Sequence, residues 1–173
     1  TPRTGAIYTH DSQSYEYAAA TLLESGELKY FGYDTPIVQW PPFYIAVVAL
    51  LELFDIPLTQ GAMWINAACF AYLLYAMAVY LFSSLNVKWL AVPALIMVCV
   101  SVPMVLISGY AWTEMLFIFL SMLSMIFMLS YVQGKKIGWM IAASVVSALC
   151  WMTRYMGIVI IAVLALVLFL SVK

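Results

Sequence analysis

Charge is scarce in this sequence: only 9% of its residues are Asp, Glu, Lys or Arg, against roughly a quarter in ordinary soluble domains. The shortage is also uneven. No charged residue occurs over 63–82, 89–113 or 137–153. A soluble fold would need a far larger charged surface, whereas apolar stretches near 18 residues or longer read as membrane spans. An excess of either sign is missing too. Seven Lys and Arg against eight Asp and Glu leave a net charge of −1, which gives no footing for nucleic-acid binding. Cysteine is limited to Cys69, Cys99 and Cys150, all inside apolar runs, with no Cys-x-x-Cys pattern and no nearby histidine. An odd number so placed argues against both a disulfide framework and a metal site, leaving packed or lipid-facing small apolar residues. The opening Thr1-Pro2-Arg3-Thr4-Gly5 reads as the interior of a loop with no signal peptide before it, so a fragment is expected. Low-complexity tracts and internal repeats are lacking as well.

What is there is hydrophobic: 66% of the chain. The expected fold class is all-α, a polytopic integral membrane protein embedded in a lipid bilayer. Three regions are expected. Residues 1–36 carry His10, Asp11, Glu16, Glu24, Glu27, Lys29 and Asp34 and belong in water. Within them 12–25 reads as a short amphipathic helix, with Tyr15, Ala18, Ala19, Leu22 and Leu23 on one face. Asp11 is the expected N-cap and Gly26 the expected left-handed terminator. Residues 37–57 contain Trp40-Pro41-Pro42-Phe43-Tyr44, where two prolines suit a helix start. The helix from there to Phe54 is too short for a bilayer core of about 30 Å, so it reads as interfacial or re-entrant. Residues 58–173 hold five expected spans, at about 61–83, 89–109, 112–132, 138–153 and 156–172. The last two come from one apolar run broken only at Arg154. A single helix of that length would overshoot the membrane, so Thr153-Arg154-Tyr155-Met156-Gly157 must be a hairpin corner.

Lysine and arginine bias orients the chain. Lys88, Lys135, Lys136 and Lys173 fall on one side, and Arg154 shares the other with the N-terminal segment, which is therefore expected outside. That places a carboxylate-bearing loop, Glu114 and Arg154 at one membrane face. Ionisable groups at mid-bilayer cost about 2.5–3.5 kcal/mol on insertion scales, which marks such residues as functional candidates.

The runs His10-Asp11-Ser12-Gln13-Ser14-Tyr15-Glu16-Tyr17-Ala18, Leu22-Leu23-Glu24-Ser25-Gly26 and Trp40-Pro41-Pro42-Phe43-Tyr44 resemble the first outer loop of C-type (GT-C) membrane glycosyltransferases. These include protein O-mannosyltransferases and aminoarabinose transferases. Thr113 with Glu114 resembles a small-residue-plus-Glu motif opening a later span, and Thr153 and Arg154 followed by Gly157 resemble the family's Thr-Arg corner. Ser12 stands where many relatives carry a second acid. The resemblance implies a helical bundle with an outer-face loop helix in a prokaryotic cell membrane, active face outward. It implies a polyprenyl-phosphate sugar donor and an acceptor the sequence does not name, and leaves room for membrane-protein partners. Asp11 would be the catalytic base. Arg154 would bind the donor phosphate, and Glu114, His10, Tyr15 and Trp40 would join it in substrate binding. No cofactor is expected, and a divalent metal is not indicated.

Each residue also has a plainer reading. Asp11 can be only a cap, Glu114 only an anion favoured by the helix dipole, and Arg154 only a cation snorkelling to headgroups. His10 fits an ordinary loop, and Trp40, Tyr44 and Trp112 fit an interfacial aromatic belt. Two other functions compete: a non-catalytic scaffold or subunit of a larger membrane complex, and a transporter or channel. The near absence of ionisable residues within the spans weighs against the last.

Overall fold

The structure, a computed structural model, describes residues 5–33 and 35–171. Residues 1–4, Asp34, Val172 and the orientation marker Lys173 lie outside the described residues. Regular structure among the described residues is helical, apart from two isolated bridge pairs, Ile7 with Tyr110 and Lys29 with Pro36.

Helix α1 is His10–Ser25. Its cap is Thr9 and not Asp11, a correction to the sequence reading. Thr9 and Ser12 form a reciprocal capping box, each side chain meeting the other's backbone amide. Two free amides of the first turn are satisfied in this way, and Asp11 is released into that turn. Gly26 ends the helix as expected, at φ +73°, a conformation that disfavours any side chain. The inward face is Ser12, Ser14, Tyr15, Ala18 and Ala19, while Leu22 is half-buried and Leu23 exposed. The packed stripe therefore lies nearer the N-terminus than apolar spacing suggested, because the two serines point inward.

Helix α2 (Pro42–Leu53) begins at proline and is 12 residues long, about 18 Å. It packs between α1 and the later helices. Helix α3 (Leu58–Ser84) and helix α6 (Glu114–Gly134) are the two helices individually long and apolar enough to cross a membrane. The expected span at 89–109 is not one helix. A short 3-10 turn (Lys88–Leu90) leads into α4 (Ala91–Cys99), which breaks before α5 (Val102–Gly109), and the two parts differ in direction by 52°. Pro103, at the start of α5, explains the break: it has no amide hydrogen and its ring clashes with the carbonyl four residues back. The bent pair counts as a third membrane-length segment only if taken together. Helices α7 (Ile137–Thr153) and α8 (Ile158–Ser171) are shorter, at 17 and 14 residues.

Helix α6 lies along α7, α3 against α6, and α8 against α7. Between α6 and α7 sit small polar contacts, Ser124 Oγ to Ser147 Oγ at 2.6 Å and Ser121 Oγ to Cys150 Sγ at 3.1 Å. Small residues let the helices approach closely, and the hydroxyls satisfy one another where water is excluded. The 153–157 corner is tight. Arg154 is extended, Tyr155–Gly157 forms a 3-10 turn, and Gly157 is pressed against the backbone of Cys150 and Trp151.

Candidate functional site

One end of the bundle collects the start of α1, the 109–114 segment, the start of α2 and the α7–α8 corner. The segment before α1 pairs in parallel with 109–111: the Ile7 amide donates to the Gly109 carbonyl at 2.6 Å, and the Ala111 amide to the Ile7 carbonyl at 3.1 Å. Asn66, buried on α3, donates to the carbonyls of Ser108 and Tyr110 at 3.0 and 2.8 Å. Two side-chain bonds then fasten α1. Ser12 Oγ donates to the Ala111 carbonyl at 3.0 Å, and the Trp112 indole donates to Thr9 Oγ1 at 2.9 Å. Position 12 thus holds a small donor that docks the loop helix.

Arg154 and Glu114 form an ion pair across the starts of α6 and the α7–α8 corner, with side chains 37% and 30% exposed. The Arg154 atom in this pair, Nη1, also donates to Thr113 Oγ1 at 3.0 Å. Both hydrogens on that nitrogen are therefore engaged. A guanidinium carries five donors, and those on Nε and Nη2 make no hydrogen bond among the described residues.

Tyr15 joins this group to α1. Its ring is buried edge-on to Trp40 and Tyr44, at centroid separations of 5.2 and 5.0 Å. Its hydroxyl lies within electrostatic reach of Thr113, Asp11, Glu114 and Arg154. Burial dominates and pushes the phenol's pKa well above its ordinary value. Thr113 and Arg154 oppose that rise, and the two carboxylates add to it. Tyr15 consequently stays protonated and can donate a hydrogen bond.

Of the expected site residues, Tyr15, Glu114 and Arg154 come together. Asp11 sits one helical turn from Tyr15 on α1, half-buried, with no side-chain hydrogen bond or ion pair among the described residues. Trp40 is half-buried, stacks on Tyr30 at 5.9 Å and 1° between planes, and flanks Arg154 across an open cleft of about 280 Å³. Gln39, Pro41, Tyr155 and Met156 complete much of its wall. His10 is exposed at the start of α1, and nothing brings its imidazole to this group.

Thr113 and Tyr155 are the residues sequence reasoning passed over as participants. The Tyr155 hydroxyl donates to the Val38 carbonyl at 2.8 Å, tying the segment before α2 to the corner. Thr113 was signalled only as the small residue of the motif with Glu114, and Tyr155 only by adjacency to Arg154. Among the described residues no group of three or more His, Cys, Asp or Glu could hold a metal ion. The chain matches no protein-family model, no curated protein and no solved structure.

Proposed function

We propose that this chain is part of a membrane glycosyltransferase of the C type, which moves a sugar from a polyprenyl-phosphate donor to an acceptor at the bundle end described above. One observation carries the reading. Glu114 and Arg154, remote in sequence, pair at the end of the bundle where α1 brings Asp11 and the buried Tyr15 within electrostatic reach, beside a cleft lined by Arg154 and Trp40.

The chemistry needs few groups. The acceptor O–H or N–H gives its proton to the Asp11 carboxylate while its heteroatom forms a bond to the anomeric carbon. The bond from that carbon to the phosphate oxygen breaks, and the electron pair leaves on the phosphate. Phosphate is already a good leaving group, so no acid is required at that oxygen. Asp11 suits the base role because its carboxylate has no partner among the described residues and the helix cap is supplied by Thr9. Arg154 offers its Nε and Nη2 donors to the phosphate as a planar fork. Glu114 serves as the counter-ion that holds the fork in place.

A bilayer setting is supported by the two membrane-length helices; the outward placement of the site rests on the lysine and arginine bias, and the prokaryotic cell membrane on the family resemblance alone. A scaffold role is the second reading. It draws on the Arg154 Nη1 contacts with Glu114 and Thr113, which already clasp α6 to the corner.

Sugar release from a polyprenyl-phosphate sugar, followed by thin-layer chromatography, separates the two readings. The enzyme reading expects turnover by the full-length wild-type protein and weaker donor binding in Arg154→Lys, because an ammonium cannot reproduce the fork. The scaffold reading expects no turnover. Donor affinity unchanged in both Arg154→Lys and Arg154→Ala removes Arg154 from the site.

A further inference from the structure

We propose that Thr113 is a positioning residue for the donor phosphate: its hydroxyl fixes the Arg154 guanidinium so that the Nε and Nη2 edge stays free for the ligand. This rests on the glycosyltransferase reading above and adds a residue and a role to it.

Thr113 occupies the N-cap position of α6, where a threonine oxygen ordinarily accepts from the amides of the first turn. Here it does not. Its backbone is already helical, at φ −76° and ψ −18°, and its side chain makes no capping bond. The oxygen instead accepts from Arg154 Nη1 at 3.0 Å. A hydroxyl has one proton and two lone pairs. That leaves the hydroxyl proton for Glu114 Oε2, 3.5 Å away. The residue is 1% exposed, so water has little access to replace any of these partners.

The geometry explains why a second contact matters. An ion pair to Glu114 alone would hold Nη1 at one point and leave the guanidinium plane free to turn about it. With Thr113 on the other hydrogen of the same nitrogen, the plane is defined. Thr113 is itself held in place through the chain just before it. Ser12 on α1, the helix that carries Asp11, and the α1 cap Thr9 anchor Ala111 and Trp112. One hydroxyl thus registers the phosphate-binding cation against the helix bearing the base.

The test compares Thr113→Ala with Thr113→Ser, which differ only by the hydroxyl, and uses Thr113→Val as a shape-preserving check. Two quantities are read on the full chain in detergent: binding of a short-chain polyprenyl phosphate without sugar, and kcat and KM for the sugar-loaded donor. Loss of one charge-assisted bond predicts that Thr113→Ala weakens binding and raises KM about tenfold, with kcat within about twofold of wild type. Thr113→Ser should stay within about twofold of wild type in every measurement. Ala and Ser variants that behave alike would overturn the proposal, since shape and not the hydroxyl would then be at issue. Val matching wild type would overturn it too. Wild-type protein showing no saturable polyprenyl-phosphate binding would sink the glycosyltransferase reading together with this one. Binding that Thr113→Ala leaves intact would remove only Thr113.

Discussion

Replacing Gly157 with alanine should loosen the corner that presents Arg154, and the size of the effect can be worked from the backbone. A Cβ added at Gly157 would lie 2.6 Å from the carbonyl carbon of Cys150 and nearer still to the Trp151 backbone. Comfortable carbon–carbon contact is about 3.5–4.0 Å, so roughly 1 Å of separation must be opened. The obstructing atoms are main chain in the last turn of α7 and cannot swing aside as a side chain would. Overpacking of this kind costs about 1–3 kcal/mol, and the rigidity of the neighbour puts the expectation in the upper half of that range. For a chain of this size such a loss lowers the melting temperature by on the order of 5–10 °C. Gly138, near the other end of α7, is the control because nothing lies within 4 Å of an added Cβ. Gly138→Ala should be neutral or stabilising by up to about 1 kcal/mol. Thermal unfolding in mild detergent, followed by loss of the monodisperse species, measures both. Since Arg154 is three residues away, the first variant should also weaken donor binding. Gly157→Ala melting with wild type and with Gly138→Ala would refute the closed corner, and with it the placement of Arg154 beside Thr113.

Three further outcomes are expected. Asp11→Asn should leave α1 and the melting temperature unchanged, because Thr9 is the cap, while turnover falls by about 10²–10⁴; normal turnover by folded protein would eliminate the base. Thr9→Ala removes the capping box and the Trp112 acceptor together. A loss of about 1–2 kcal/mol follows, read as faster protease nicking near α1, and unchanged protection would contradict the docking described. Single cysteines at the exposed Ser25 and Met156, in a cysteine-free background, should react with an impermeant thiol reagent in intact cells. One at Gly134 should react only after permeabilisation, and its labelling from outside would invert the orientation.

Helical class, the α1 terminator at Gly26 and the corner at Arg154 were legible in sequence because each depends on nearby residues alone. Apolar runs, one glycine tolerant of positive φ, and an apolar stretch too long for one span are local facts. The α4–α5 break was also present locally, in Pro103, yet the unbroken hydrophobicity from Trp89 to Gly109 hid it. The cap of α1 was misplaced in the sequence reading, and a tertiary contact helps explain why. Thr9 prevails over Asp11 while Trp112, far along the chain, holds its oxygen. Likewise nothing in helical periodicity states that Glu114 meets Arg154, or that Thr113 leaves its own helix uncapped to join them. Periodicity determines which face of a helix is buried. Only the packing of one helix end beside another determines which polar groups meet there, and for residues screened from water that meeting sets both the partner and the chemistry.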